Sequence, residues 1–279
     1  MQEIKSKTSR YRYLLEISYN GYGFSGSQKQ APKDANIPSI RTVFGYLEAI
    51  LYKTFKIPIT CIPCGRTDAK VHAHRSFCHC DLPFTFQPHA ILKSLNQASI
   101  PCGLYIHDIT LVDSNFHALS SASKRSYNYF FTFDTTIPNY LYHSVAVVHA
   151  TPLFVPTTHE LQRIFCGTRN GYPICNTSAD VKTYIRHIYQ VELNTVNYTS
   201  MFGHEHRLYC LKVSANGFLY KMICHMSGLI LHSMVNFTNI SRLFDYIMSN
   251  RPINYNLASP QGLHLTEVHY NNRSKVVSK

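Results

Sequence analysis

The sequence predicts an α+β protein made of two halves, and three observations support this fold class. Apolar residues alternate with polar ones at Leu15, Ile17 and Tyr19, as in a half-buried strand. Apolar residues recur at helical spacing from Ile40 to Leu51, which indicates an amphipathic helix. Segments of these two kinds then follow one another in the order β-α-β-β-α-β, and a second α+β set begins after Val112.

The first half, residues 1–112, contains four predicted strands and two predicted helices. Ser39 is the expected cap of the first helix, after a polar surface loop at residues 31–38. The further elements are strands at 57–64, 75–80 and 104–112 and a helix at 88–96. This order is typical of a ferredoxin-like or RRM-like unit, in which the helices cover one face of an antiparallel sheet.

The second half, residues 113–279, repeats the mixture of strands and helices. The predicted strands lie at 126–133, 184–193, 207–213 and 263–270, and the predicted helices at 160–165, 218–233 and 240–248. We expect the antiparallel sheets of the two RRM-like halves to join around a central cleft, with the helices on the outer face. The polar tail, residues 271–279, is expected to be mobile.

The charge balance favours a polyanionic partner. The chain has 27 Lys and Arg residues against 15 Asp and Glu residues, a net charge of +12. Such an excess favours nucleic acid first. A membrane span is not expected, because no run of eighteen apolar residues exists, and a membrane partner is not expected, because no basic amphipathic helix stands out. The nine cysteines, an odd number with no secretory signal before them, indicate reduced thiols and a cytoplasmic protein.

One short loop carries the residues best suited to chemistry. Asp68 lies there among the cations Arg66 and Lys70 and the histidines His72 and His74. Neighbouring positive charge favours an ionised carboxylate, which can act as a nucleophile or general base beside a docked polyanion. On local chemistry alone, an Asp that caps a turn or pairs with Arg66 is the more frequent case.

Residues 65–72 read GRTDAKVH and resemble the signature GRTDAGVH of the TruA family of pseudouridine synthases. Four further matches follow in the family's order. They are YNG at 19–21 with GSQKQ at 26–30, FHA at 116–118 with SA at 121–122 and Tyr127, ANGFLYKMI at 215–223, and GL at 262–263. Five ordered matches cover nearly the whole chain, which makes the resemblance specific.

The resemblance implies a role for each matching residue. Asp68 would be the catalytic carboxylate, Arg66 would assist base flipping and pair with it, and Tyr127 would stack on the flipped uracil. Met222 and Ile223 would form walls of the pocket. Arg125, Lys70 and His72 are further candidates for substrate binding. The family isomerises uridines 38, 39 and 40 of the tRNA anticodon stem-loop, works as a homodimer, and needs no cofactor or metal.

Four positions depart from the family pattern. Ser27 replaces a Trp, Lys70 a loop Gly, Leu119 an Arg, and Cys224 an Arg of the C-terminal helix. The two lost arginines should weaken phosphate contacts, for which the nearby Lys124, Arg125, Lys221 and His225 could compensate. A lysine at position 70 costs strain if the loop needs a positive φ there. The alternative function is therefore a catalytically impaired RNA-binding paralogue of the same family.

A zinc module is the second alternative. Cys61 and Cys64 precede the loop, and Cys78, His79 and Cys80 follow it. Four Cys or His groups can bind zinc tetrahedrally. Two thiols separated by one residue of a strand, however, point to the same face, so small buried thiols are the expected case.

Overall fold

The computed structural model describes residues 10–30, 41–177, 181–237, 239–249 and 254–271, which form an α+β fold and confirm the predicted class. The strands are β1 Tyr11–Tyr19, β2 Ile62–Pro63, β3 His72–Leu82, β4 Leu104–Val112, β5 Ala122–Thr132, β6 Ala146–Val147, β7 Gly167–Asn170, β8 Ile185–Thr199, β9 Glu205–Ala215 and β10 Leu263–Tyr270. The helices are α1 Val43–Phe55, α2 Pro88–Ser99, α3 Thr158–Phe165, α4 Met222–Asn236 and α5 Ser241–Ser249.

The described residues form two compact units that are not continuous in sequence. The first contains the chain up to Thr67, then Ala73–Ser123, and the end from Val268 onward. The second contains Asp68–His72 and Lys124–Glu267. The short segment around Asp68 therefore packs with residues far along the chain. The domain boundary expected at Val112 stays a prediction, as does the cleft between the halves.

The first unit has the predicted β-α-β-β-α-β order along the chain. Its strands pair antiparallel in the order β4-β1-β3, and β2 pairs with β3. Leu15 faces Cys78 on β3 and Ile109 on β4. Helix α2 packs against β4 and against α1. The core is closed by buried side chains of these elements, among them Tyr13, Leu15, Ile17, Leu47, Phe77, Leu95 and Ile106.

Two elements of the first unit differ from their predicted bounds. The strand expected at 57–64 shrinks to Ile62–Pro63, and Pro58, which lacks the N–H that a ladder needs, lies outside it. Helix α1 begins after Thr42, whose Oγ1 accepts a hydrogen bond from the Gly45 N–H. The cap expected at Ser39 and the loop at 31–38 lie outside the described residues.

The second unit is built on the antiparallel order β5-β9-β8-β7, with β6 parallel to β5. Tyr127 of β5 faces Val213 of β9, and Val213 faces Val191 of β8. Helix α3 packs on β8, and α4 packs on α5. Strand β8 extends past the predicted residue 193 to Thr199 because it forms a hairpin with β9.

Helix α4 begins four residues later than the expected start at Phe218. Lys221 precedes it in the left-handed conformation, with φ 58°, and the N–H of Met222 bonds to the carbonyl of Leu219 in a turn. Ten of its residues are buried, as its apolar sequence predicts. Within the described chain, no helix is long and apolar enough to cross a membrane. Residues 272–279 of the predicted tail fall outside the described ranges.

Candidate active site

The loop that carries Asp68 ends in a tight turn with a strained residue. The N–H of Val71 donates to the Asp68 carbonyl oxygen at 3.2 Å, and Lys70 inside this turn has φ 68°. Most side chains avoid this left-handed region, which glycine adopts freely. The strain that the sequence predicted for a lysine at this position is therefore present.

The start of the loop is anchored inside the first unit by Ser27. Ser27 is fully buried, and its Oγ accepts the Thr67 N–H at 2.8 Å and donates to the Thr67 carbonyl at 3.3 Å. The hydroxyl groups of Tyr19 and Thr67 lie 2.8 Å apart. The serine that replaces the family's tryptophan thus fixes the backbone of the residue directly before Asp68.

Asp68 is half-buried and interacts electrostatically with the first turn of α4. Burial raises the pKa of its carboxyl above the ordinary value, and the positive charge of Lys221 opposes that rise. Burial, together with the negative charge of Asp68, raises the pKa of Cys224 to about 12. Cys224 is therefore an uncharged thiol at neutral pH, and Lys221 supplies positive charge to the Asp68 carboxylate.

Strand β5 brings an aromatic ring and a guanidinium group to the second unit. Tyr127 is 8 % exposed, and its ring meets Phe218 edge-to-face at 5.3 Å between centroids. Arg125, two residues earlier on the same strand face, donates from Nη1 to the Asn216 carbonyl at 3.3 Å. Both therefore contact the connection between β9 and α4, the segment that also leads to Lys221.

His72 closes the loop through a pair of stacked imidazoles. Its Nε2 lies 2.7 Å from the His143 carbonyl, and its ring stacks on His264 at 4.5 Å between centroids. His264 Nε2 lies 2.8 Å from the Ser144 carbonyl. Burial lowers the pKa of His72, so the ring is neutral at pH 7 and donates its Nε2–H to the carbonyl. Its ring therefore holds the end of the loop to the 143–144 segment.

The remaining predicted site residues occupy different environments. Met222 and Ile223 are both buried in the first turn of α4, and a Cβ added to Gly171 would lie 3.4 Å from the Met222 methyl group. Arg66 and Lys70 have exposed side chains. Arg66 belongs to the first compact unit.

The electrostatic partner of Asp68 was only partly visible in the sequence. Lys221 stands out there as a cation near the missing arginine, with nothing to rank it above Arg125 or His225. Its φ of 58° and its effect on Asp68 distinguish it in the structure.

The cysteines of the zinc alternative are buried free thiols in the first unit: Cys61, Cys64, Cys78 and Cys80. A hydrogen bond with Cys78 and burial raise the pKa of Cys61 well above its ordinary value. Among the described residues, no group of three or more His, Cys, Asp or Glu side chains is arranged to hold a metal ion.

Comparison with known proteins gives a consistent result. Residues 162–271 match the family model described as tRNA pseudouridine synthase. A protein of Geobacillus sp. (strain WCH70) named tRNA pseudouridine synthase A is 32 % identical over 270 residues, covering 94 % of this chain and 99 % of that protein. Proteins of the same name from Anoxybacillus flavithermus and Streptococcus thermophilus are 29 % and 30 % identical, covering 94 % and 93 % of this chain and 99 % of each relative. The chain therefore belongs to the tRNA pseudouridine synthase A (TruA) family of isomerases, which convert uridine to pseudouridine.

Proposed function

We propose that this protein isomerises uridines 38, 39 and 40 of the tRNA anticodon stem-loop, with Asp68 as the catalytic carboxylate. One observation carries the assignment of Asp68. Its carboxyl is half-buried in the GRTDAKVH loop and is stabilised in the charged form by Lys221 at the start of α4. A desolvated carboxylate with a nearby cation is a recurrent arrangement at catalytic sites.

The reaction explains why a carboxylate, an aromatic ring and cations would be used together. The N1–C1′ bond of uridine must break, and C5 must bond to C1′ before the C5 proton leaves. A base that is stacked in a helix cannot detach and turn, so the nucleotide has to be flipped out first. Asp68 could attack C1′, attack C6, or remove the 2′ proton, and all three steps require its ionised form.

The other predicted residues take supporting roles in this proposal. Arg66 occupies the space that the flipped base leaves, and Arg125 and Lys70 contact phosphates. Tyr127 stacks on the uracil, a contact worth about 1–3 kcal/mol per base. Met222 and Ile223 pack behind the pocket. Because the ring of His72 is bonded to the His143 carbonyl, its role is to fix the loop rather than to touch the tRNA. We further propose a cytoplasmic homodimer without a cofactor.

The impaired paralogue remains the second candidate, since Cys224 is an uncharged thiol where the family has an arginine. In this alternative the protein binds tRNA without isomerising it. The presence of Lys221 beside Asp68 favours the enzyme, because a cation is still supplied to the carboxylate.

Incubation of unmodified tRNA with the wild type and with Asp68→Asn tests the proposal. Tritium release from C5-labelled uridine measures the reaction. Variants of the tRNA that carry cytidine at position 38, 39 or 40 identify which uridine is isomerised. We expect Asp68→Asn to lower the rate by at least about 10²-fold, the contribution of a positioned acid–base group. Asp245→Asn, a change on the exposed side of α5, is the matched control and should retain full activity.

Three outcomes separate the alternatives. Equal product from Asp68→Asn and the wild type rules out Asp68 as the catalytic carboxylate. Binding of tRNA without product from either protein favours the paralogue. Full activity on tRNA that has cytidine at all three positions rules out the anticodon stem-loop sites.

A further inference from the structure

A ring of hydrogen bonds surrounds the backbone of Tyr220 and Lys221. The Asn176 N–H donates to the Tyr220 carbonyl at 3.0 Å, and the His225 N–H donates to the Lys221 carbonyl at 3.0 Å. His225 Nε2 and Asn176 Oδ1 lie 2.6 Å apart and close the ring. The carbonyls of Tyr220 and Lys221 thus accept from the backbone N–H groups of two residues, Asn176 and His225, whose side chains bond to each other.

The protonation state of His225 follows from its partners. Asn176 Oδ1 can only accept, so Nε2 carries the proton. Nδ1 then accepts from the Tyr255 hydroxyl at 2.6 Å. Burial, followed by the positive charge of Lys221, lowers the pKa of His225, and a neutral imidazole with one donor and one acceptor satisfies both bonds. The segment of Tyr255 is itself attached to α4, because the Ala258 N–H donates to the Cys224 carbonyl at 3.2 Å.

Lys221 needs such support because its backbone is strained. Its φ is 58°, and no side chain caps the helix at this residue. The left-handed conformation costs an L-residue about 1–2 kcal/mol, so it persists only where the surroundings enforce it. The ammonium group lies over the Tyr220 ring at 5.5 Å from its centroid. The ring of hydrogen bonds therefore fixes the backbone of Lys221, while Tyr220 contacts its charged end.

We propose that His225, together with Asn176 and Tyr255, is a positioning residue that holds the Lys221 ammonium group where it stabilises the Asp68 carboxylate. The inference rests on the proposed catalytic role of Asp68. In this proposal the ring of hydrogen bonds supports Lys221, so that this lysine, which precedes α4, replaces the arginine that the family has at position 224 within the helix. Cys224 supplies no charge there.

The acidic limb of the pH–rate profile reports this arrangement. Asp68 must be ionised to act, and Lys221 favours the ionised form, so displacement of Lys221 raises the pKa of Asp68 and moves the limb to higher pH. Within the described part of the chain, the titratable groups that act on these residues are Lys221 and Cys224 at Asp68, Lys221 and Tyr255 at His225, and Cys175 and Tyr246 at Tyr255.

Rates of pseudouridine formation as a function of pH, measured with His225→Ala and Asn176→Ala, test the proposal. For both variants we expect the acidic limb of kcat/KM to move up by about one pH unit, within the range for loss of a nearby opposite charge. His225→Gln keeps a donor for Asn176 and should restore most of the wild-type profile. His232→Ala removes a histidine later on the same helix whose Nδ1 lies 3.2 Å from Asn236 Nδ2, and should leave the profile unchanged.

The Lys221→Met background distinguishes positioning from a general structural effect. If His225 acts through Lys221, His225→Ala shifts the limb in the wild type but adds no shift to Lys221→Met. A further shift in that background overturns the proposal, as does a wild-type profile in both His225→Ala and Asn176→Ala. Should His225→Ala fail to fold, Asn176→Ala alone decides, because it leaves the bond between His225 and Tyr255 in place. If Asp68→Asn is fully active, the proposed role of Asp68 fails instead.

Discussion

Replacing Lys70 with glycine tests whether the turn after Asp68 is strained. Lys70 has φ 68°, in the left-handed region. In that region the Cβ of an L-residue costs about 1–2 kcal/mol, and a glycine avoids this cost. Glycine in turn destabilises the folded state by about 0.5–1 kcal/mol, because its unfolded state has greater entropy. Lys70→Gly should therefore raise the free energy of unfolding by about 0.5–1 kcal/mol, with a rise in Tm of about 1–3 °C for a chain of this size.

Thermal unfolding and the salt dependence of tRNA binding measure the two consequences separately. Lys56→Gly is the matched control, because Lys56 caps α1 with φ 59° and an exposed side chain. Both variants should gain stability. Only Lys70→Gly should make the slope of log affinity against log salt shallower, by about 0.7–0.9 per lost phosphate contact. A loss of stability for Lys70→Gly beside a gain for Lys56→Gly would refute the strain argument, and equal slopes would refute the phosphate contact.

Two further substitutions test how the loop and the β10 connection are built. Ser27→Ala leaves the buried Thr67 N–H without its side-chain acceptor, which should cost about 1–3 kcal/mol in chemical denaturation, and Ser25→Ala, at an exposed position, should cost little. Gly262→Ala would place its Cβ against the Phe130 carbonyl oxygen and 3.1 Å from the Tyr129 ring, so we expect a loss of about 1–3 kcal/mol from overpacking. A wild-type denaturation midpoint in either variant would contradict the corresponding contact.

Local patterns predicted most of the elements, because alternation and helical spacing report which face of an element is buried. The strands at 104–112 and 263–270 have the predicted bounds. Predictions were less accurate where distant pairing or backbone geometry decided the bounds. Strand β8 is extended by its hairpin partner β9, and α4 starts late because Lys221 is left-handed.

Motif order in the sequence was sufficient to identify the family and the class of reaction, because short functional loops keep their residue types together along the chain. The same loop sequence showed that a lysine at position 70 would be strained if φ were positive, and the structure supplied the sign of φ.

Only the tertiary structure decided what surrounds Asp68. The segment Asp68–His72 packs with Lys124–Glu267 rather than with its neighbours in sequence. Lys221 therefore acts electrostatically on a carboxylate that lies far from it along the chain, and that carboxylate contributes to the raised pKa of Cys224. Electrostatic and hydrogen-bonding partners depend on distance in space, which the order of residues does not contain. For this reason the sequence predicted Asp68 as the catalytic carboxylate, and only the tertiary structure identified Lys221 as the cation that acts on it.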